Sequence, residues 1–379
     1  MARLWPLVRV RAATPMAHVA LFERHWRQMT MLLMLAAALN VAAAQVAPAL
    51  PKPEDKAMSE SEVADWLKRL HGASRDRNYV GTFVVSSASG ALASARIWHA
   101  CEGEQQVERV ETLTGAPRSV FRHNDRVVTF LPDQKVARTE RRESLGAFPG
   151  LLKSLDATIT DLYSAKPADS GRVAGFDAQV VQLTPKDKLR FGYRVWSDRQ
   201  TSLVLKVQTL DTDGHVLEQA AFSELHYDEP VRIDQLEKMM AATDGWKVET
   251  PVMVKTTAQA LGWTLSSPVA GFNPVNCYQR ALGGQAAADH AGAAPDNAMH
   301  WVFSDGLASV SLFVEPFDSA RHGQPGQMVM GATHTVTLRL SGGERGNGEG
   351  NWWLTAVGEV PIATLQLFGE RLRRLAPTK

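Results

Sequence analysis

The sequence predicts an α+β protein, in which a large antiparallel sheet covered by helices is followed by a smaller domain. Three observations support this fold class. The chain has 379 residues, of which 45% are hydrophobic, and this length and composition are typical of two globular domains. Short strand patterns follow one another over residues 79–225 with few helical patterns between them, which indicates antiparallel pairing. Apolar residues at helical spacing precede and follow the strands.

Residues 1–44 have the composition of a secretory signal peptide. Five arginines and one glutamate are followed by an apolar run over 29–39 and by the small residues 42–44, an order that predicts cleavage after Ala44. A membrane anchor is the alternative, but the run is shorter than the roughly 20 residues needed to span a bilayer. The basic region is long, which leaves Met16 as an alternative start.

The rest of the chain carries a net charge of −3, because the whole chain carries +1 and residues 1–44 carry +4. Lysine and arginine are mixed with acidic residues throughout this part. A protein that binds nucleic acid presents a basic surface. The sequence therefore argues against a nucleic-acid partner.

One amphipathic helix begins the first domain. Ser59 and Glu62 fit a capping box, and Val63, Trp66 and Leu70 recur on one helical face. Ten strand patterns follow. The stretch 145–163 interrupts them with leucines at helical spacing, and one or two short helices that cover the sheet are predicted there.

A second domain is predicted after a connection with a short helix at 233–240. Strands are expected near 299–304, 307–315, 333–340 and 351–358, before a terminal helix that begins at Pro361. The Ala/Gly-rich stretch 283–298 predicts disorder, and 341–350 predicts a long hairpin tip. The predicted organisation is a signal peptide over 1–44, a disordered leader over 45–57, domains over 58–230 and 261–379, and a linker over 231–260.

Reactive groups in catalytic or metal-binding spacing are scarce in this sequence. The serines fall in no G-x-S-x-G elbow, and the histidines form no H-x-H or H-E-x-x-H pair. We therefore predict no enzyme activity, no metal and no cofactor. Cys101 and Cys277 are the two cysteines, and both a single disulfide bridge and two free thiols stay open.

Two sets of residues are candidates for ligand binding. Large apolar residues of the first domain form either an ordinary core or a cavity that accepts lipid chains, which periodicity cannot distinguish; they are Phe83, Phe130, Phe148, Leu151, Leu152 and Tyr193. A basic stretch near a strand end could meet phosphates or simply form a solvated face; it comprises Arg138, Arg141 and Arg142.

Several fragments, taken in chain order, resemble those of one family. They include Trp66-Leu67, 78–83 (NYVGTF), Leu131-Pro132-Asp133, 190–196 (RFGYRVW), 304–307 (SDGL) and 358–361 (GEVP). Together they identify the chain as a member of the MucB/RseB family of periplasmic regulators over about 58–379. The sequence departs from the family at Thr201-Ser202-Leu203 and in the two Gly-rich insertions.

The resemblance implies a first domain similar to the lipoprotein carrier LolA, a curled antiparallel half-barrel covered by helices, and a smaller α/β domain. It also implies a periplasmic negative regulator of an envelope-stress sigma factor. Such a regulator binds the periplasmic domain of a single-span anti-sigma factor similar to MucA or RseA, protects it from proteolysis, and is released by lipid or lipopolysaccharide. A lipid or lipoprotein carrier and a secreted enzyme are the alternatives, and homo-oligomerisation stays open.

One strand of the second domain is the candidate partner surface. Along 307–315, residues 308, 310, 312 and 314 are apolar and are predicted to pack on the terminal helix. The other face and its preceding turn are an exposed or interdomain surface on which the partner could lie. The turn could equally be an ordinary hairpin turn. The candidate partner-binding residues are Ser304, Asp305, Gly306, Leu307, Ser309, Ser311 and Phe313.

Overall fold

The computed structural model describes residues 57–141, 148–152, 159–281, 297–340 and 351–375. The predicted signal peptide, residues 45–56 of the leader, Arg142, residues 283–296 and all of 341–350 lie outside the described residues. In the described ranges, no helix has the length and apolar character needed to cross a membrane. Two sheets with flanking helices confirm the α+β class.

Twelve of the described strands form the first sheet. Their bounds are β1 (Tyr79–Ser87), β2 (Leu92–Glu102), β3 (Gln105–Thr112), β4 (Ser119–His123), β5 (Arg126–Leu131), β6 (Val136–Arg141), β7 (Tyr163–Val173), β8 (Phe176–Pro185), β9 (Gly192–Asp198), β10 (Val204–Leu210), β11 (Val216–Tyr227) and β12 (Lys247–Glu249). The order is β12-β6-β5-β4-β3-β2-β1-β11-β10-β9-β8-β7. Two meanders therefore meet where β1 pairs with β11.

Four α-helices occur among the described residues: α1 (Glu60–Arg75), α2 (Ile159–Leu162), α3 (Ile233–Ala241) and α4 (Ile362–Arg371). The predicted capping box of α1 is present, because the Ser59 backbone N–H donates to Glu62 Oε2 at 2.7 Å while the Ser59 hydroxyl accepts from the Glu62 N–H. This arrangement satisfies two backbone donors that the first turn leaves without partners.

The first sheet is covered on both faces. On one face, Trp66 and Leu70 of α1 pack with Tyr193 and Val195 of β9. On the other, Leu236 and Met240 of α3 are buried against strands β3–β6. Burial of each such side chain contributes about 1.5–3 kcal/mol, so both helices are held by their apolar faces.

The predicted linker 231–260 is divided between the two sheets. Its helix α3 packs on the first sheet, and β12 pairs in parallel with β6. The next strand, β13 (Met253–Lys255), pairs with β15 (Asn273–Ala281) of the second sheet. The change from one sheet to the other therefore takes place between residues 249 and 253.

The second sheet contains seven of the described strands. In addition to β13 and β15 they are β16 (Asn297–Ser304), β17 (Ser309–Pro316), β18 (Gly326–Met330), β19 (Thr333–Leu340) and β20 (Trp352–Gly358). The order is β13-β15-β16-β17-β20-β19-β18. A separate pair is formed by β14 (Trp263–Leu265) and β21 (Leu372–Arg374).

The predicted alternation along β17 is confirmed. Val310, Leu312 and Val314 are at most 1% exposed and belong to one cluster with Leu365 and Phe368 of α4. The terminal helix α4 ends at Arg371, because the chain becomes extended at Leu372, which begins β21. Pairing of β21 with β14 removes this last turn from the helix.

The strand pattern overlooks edge strands and strands with proline. Strand β7 carries Pro167 and mixed exposure at the edge of the first sheet, and β15 carries Pro274. Strand β18 is another overlooked edge, with all five residues exposed. Edge strands tolerate proline and need no alternation. In the stretch predicted as helical over 145–163, residues 148–152 are not helical and only α2 is described as a helix.

Both cysteines are free thiols. Cys101 lies in β2 of the first sheet and Cys277 in β15 of the second. Burial raises the pKa of Cys277 to about 11, so this thiol stays protonated near neutral pH. Of the two alternatives left open by the sequence, a disulfide bridge and two free thiols, the structure has the two free thiols.

Gly81 lies where the two meanders meet, and a side chain there would clash. A Cβ on Gly81 would lie 2.6 Å from the Phe222 ring and 2.8 Å from the Glu224 carbonyl oxygen. We expect Gly81→Ala to destabilise the protein by about 1–3 kcal/mol, as overpacking does, measured by urea unfolding. Gly323→Ala is the control, because no heavy atom lies within 4 Å of its Cβ. Equal stability of the two variants would contradict this expectation.

Acidification is expected to destabilise the fold through His99, which is fully buried. Burial lowers the pKa of His99 from 6.5, against the raising effect of Glu108. Below pH 6.5 the unfolded chain therefore binds a proton at the His99 imidazole that the folded chain does not bind. The stability that is present above this pH is consequently lost as the pH falls. The slope is up to about 1.4 kcal/mol per pH unit for one such group.

The measurement is urea unfolding between pH 7.5 and 5.5. His99→Phe retains a ring that can stack on Tyr79, whose ring centroid lies 4.9 Å from that of His99, and it cannot be protonated. The pH dependence should become shallower in this variant. Because burial also lowers the pKa of His71 and His334, part of the slope remains. An unchanged slope would exclude His99 as its source.

Candidate functional site

The apolar candidate residues of the first domain divide between the two faces of the sheet. Phe83 and Phe148 pack together, with ring centroids 5.4 Å apart, and both contact Phe222. Leu152 and Tyr193 are buried in the cluster of α1, which Leu151 flanks. These five residues therefore lie on the face that α1 covers.

Phe130 lies apart from the other five. Its ring packs edge-on against Phe121 at 5.6 Å and Trp246 at 5.0 Å, in the cluster covered by α3. Side chains at adjacent positions of a strand point to opposite faces of the sheet. Phe130 points to the face covered by α3, whereas the cluster of Phe83 lies on the opposite face. One ligand cannot contact all six side chains.

The basic stretch does not converge on one point. Arg138 and Arg141 are three positions apart on β6 and therefore point to opposite faces of the sheet. Arg138 donates to Glu249 at 3.1 Å, and Arg141 lies 3.7 Å from Asp125. Each guanidinium thus already faces a carboxylate. Arg142 lies outside the described residues.

Asp305 lies in a buried joint between the two sheets. Its Oδ2 accepts hydrogen bonds from Arg190 Nη1 and from the Tyr163 hydroxyl, both at 3.0 Å. Its Oδ1 accepts from the backbone N–H groups of Leu307 and Ala308. The Arg190 and Asp305 side chains are both 0% exposed. This ion pair joins the first sheet to the turn before β17.

Arg190 has a partner for each part of its guanidinium. Its Nε donates to Asp187 at 3.0 Å and its Nη2 to the carbonyl oxygen of Ala270 at 2.8 Å. The guanidinium carbon lies 4.9 Å from the Phe272 ring centroid. Burial raises the pKa of Tyr163 well above 10, with Asp305 adding to the effect, so its hydroxyl remains a donor. A buried charge pair is tolerated when its hydrogen-bonding capacity is used in this way.

Two further contacts join the sheets. The Thr364 hydroxyl of α4 donates to the Leu189 carbonyl oxygen at 2.8 Å, and the Ala332 N–H donates to Glu218 at 3.4 Å. Leu307 packs within the cluster of α1, not within that of α4. Asp305, Gly306 and Leu307 are thus buried against the first domain. Of the two predicted alternatives, an exposed surface and an interdomain surface, these residues form the interdomain one.

The other candidate residues of β17 lie on the open face of the second sheet, away from α4. Ser309, Ser311 and Phe313 are half-buried there. Phe313 stacks on His300 with ring centroids 4.3 Å apart, and His300 Nε2 is 3.1 Å from the Ser311 hydroxyl oxygen. The Tyr278 ring lies 6.3 Å from His300. A half-buried aromatic group with the Ser311 hydroxyl beside it therefore lies on this face.

Sequence reasoning did not assign roles to Arg190, Tyr163, His300 and Tyr278. Arg190 stood only within a quoted fragment, and it pairs with Asp305 of another quoted fragment. The available signal was an arginine directly before an alternating strand. That signal does not identify Asp305, 115 residues away, as the partner of Arg190.

An exposed turn between β10 and β11 brings three potential metal ligands within 4.8 Å of one another, namely Asp211, Asp213 and His215. The Asp211 carboxylate accepts from the backbone N–H groups of both Asp213 and His215. Turn formation accounts for this arrangement without a metal.

Comparison with known families matches residues 62–240 to the MucB/RseB N-terminal domain and residues 257–373 to the MucB/RseB C-terminal domain. The sigma factor AlgU regulatory protein MucB of Pseudomonas aeruginosa is 28% identical over 320 residues, covering 84% of this chain and 92% of the relative. The sigma-E factor regulatory protein RseB of Escherichia coli K12 is 23% identical over 309 residues, covering 81% and 89%. A solved structure of MucB in complex with MucA(peri) matches with a TM-score of 0.60 at 28% identity, covering 83% and 99%.

Proposed function

The chain belongs to the MucB/RseB family, and from this premise we propose that it is a periplasmic negative regulator of an extracytoplasmic stress response. The observation that carries the proposal is that both domains of the family match in order and together span most of the described residues. The family consists of regulatory binding proteins. A signal peptide over 1–44, as the sequence predicts, would deliver the mature chain to the periplasm.

The proposed partner is the periplasmic domain of a membrane-anchored anti-sigma factor. A similar protein, MucB, has been solved in complex with MucA(peri). The chain would bind such a domain and protect it from the protease that initiates signalling. This activity requires a binding surface and no reactive groups, in agreement with the scarcity of catalytic patterns in the sequence.

We assign the partner surface to the open face of the second sheet. Phe313, stacked on His300, would supply an aromatic anchor, and the hydroxyls of Ser309 and Ser311 would supply hydrogen bonds around it. Interfaces commonly combine a buried aromatic centre with a polar rim. Asp305, Gly306 and Leu307 would act indirectly, by fixing this sheet to the first domain.

Release of the partner by lipid or lipopolysaccharide completes the proposal. The apolar cluster that contains Phe83, Phe148 and Phe222 lies next to that of α1 and is the proposed site for acyl chains. A ligand that prefers the partner-free conformer lowers partner affinity by its differential affinity for the two conformers, and the partner lowers ligand affinity equally. A lipid carrier without a regulatory role would bind lipid in the same way but would have no protein partner.

The test is titration calorimetry of the mature chain with the periplasmic segment of the single-span protein encoded beside a sigma factor in the same genome. We expect a saturable complex. Phe313→Glu should weaken it at least tenfold, because a charge at the centre of an interface is desolvated without a partner. Leu92→Glu, which changes a 65%-exposed leucine of the first sheet, is the matched control.

Three outcomes are informative. Loss in Phe313→Glu alone supports the assigned surface. Equal affinity of both variants and the parent chain would contradict that surface but retain the regulator function. Absence of a complex, together with saturable lipid binding, would favour the carrier.

A further inference from the structure

A cavity of about 370 Å³ lies between the first sheet and the start of α3. None of the six apolar residues or three arginines singled out from the sequence lines it. His226, Val80, Trp98 and Arg109 form its floor as consecutive cross-strand partners on β11, β1, β2 and β3. Arg96, two positions from Trp98 on β2, projects from the same face. The floor is therefore built by strand register.

Two guanidinium groups flank the Trp98 indole. The guanidinium carbons of Arg109 and Arg96 lie 4.7 Å and 5.3 Å from the ring centroid. The Arg109 Nη2 donates to Glu111 at 2.6 Å. Within the described ranges, the Nε atoms of both arginines are buried and have no hydrogen-bond partner. A buried donor without an acceptor is costly, and an anion in the cavity beside these side chains would provide one.

The roof of the cavity adds an ion pair and apolar surface. Arg232, which precedes the first turn of α3, lines the cavity and donates from Nε and Nη2 to the Asp234 carboxylate at 3.1 and 2.7 Å. Glu229 is the acidic residue of the lining, and two of the three lining arginines are paired with carboxylates, Arg109 with Glu111 and Arg232 with Asp234. Val231 and Met239 supply apolar walls. The cavity thus offers a polar end with the Arg96 guanidinium beside an apolar one.

We propose that this cavity binds a phosphate monoester, with the phosphate bound by the Arg96 and Arg109 guanidinium groups beside Trp98 and the organic portion against Val231 and Met239. Arginine forks match phosphate oxygens geometrically. The volume admits a small organic phosphate or the phosphorylated headgroup of a lipid, not a whole diacyl lipid. This site does not depend on the proposed regulator function.

The experiment is titration calorimetry of the mature chain with glycerol 3-phosphate and, separately, with vesicles of phosphatidylcholine with and without phosphatidic acid. Arg96→Gln is the decisive variant. Arg96 lies near Glu224, which keeps its contact with His226 at 3.0 Å when Arg96 is replaced. Arg118→Gln, which changes an exposed arginine outside the cavity, is the matched control. Thermal unfolding of both variants checks that they fold.

We expect a loss of affinity of tenfold or more in Arg96→Gln, because a hydrogen bond to a charged group is removed, and none in Arg118→Gln. Binding of glycerol 3-phosphate with this pattern supports the site and identifies a soluble ester. Binding of phosphatidic acid vesicles alone, with the same pattern, supports the site and identifies a lipid headgroup. No binding of either probe, equal binding by folded Arg96→Gln, or equally tight binding of succinate would overturn the proposal.

Discussion

Arg190→Ala is expected to lower the free energy of unfolding by about 3–5 kcal/mol, the usual cost of leaving one member of a buried ion pair without its partner. Asp305 would keep its carboxylate 0% exposed, with only the Tyr163 hydroxyl and backbone N–H groups as donors. The Ala270 carbonyl oxygen would also lose its donor. Urea unfolding monitored by circular dichroism measures this loss.

The control for this prediction is Arg199→Ala, which changes an exposed arginine just after β9 and should remain within about 0.5 kcal/mol of the parent chain. A double variant separates charge from packing. Arg190→Met combined with Asp305→Asn removes both charges but retains an acceptor for the Leu307 and Ala308 N–H groups. It should be less destabilised than Arg190→Met alone. If Arg190→Ala were as stable as Arg199→Ala, the joint would not hold the two sheets together.

Phe368→Ala is expected to destabilise the second domain by about 3–5 kcal/mol, the range for removing a fully buried phenylalanine. Phe368 of α4 is 0% exposed. Its ring centroid lies 4.8 Å from that of Phe303 on β16 and 5.8 Å from that of Phe272. Alanine would leave a cavity between α4 and the sheet that rigid strands cannot close. Thermal and urea unfolding both report it.

Phe313→Ala provides the matched comparison, because Phe313 lies on the open face of the same sheet and is only half-buried. It should cost clearly less stability than Phe368→Ala. This pair of variants separates the two faces by their roles, since Phe368 is expected to affect folding and Phe313 partner binding. Equal destabilisation of both would show that the open face is as closely packed as the face under α4.

Local patterns in the sequence determined which residues share a face of one element. The capping box and apolar spacing of α1 were read correctly because both depend on residues within four positions of each other. The alternation in β17 likewise identified Val310, Leu312 and Val314 as the buried set. Strand β7 was not predicted, because an edge strand with Pro167 has no such alternating pattern.

The tertiary structure alone decided which faces meet. Nothing near Asp305 in sequence shows that its carboxylate pairs with Arg190, and nothing in β5 shows that Phe130 packs under α3 while Phe83 packs on the opposite face. The cavity beside Trp98 depends on the register of four strands and on where α3 crosses them. Periodicity indicates which side of a helix or strand is buried. The element that packs against this buried side depends on long-range pairing, which separate local patterns do not encode.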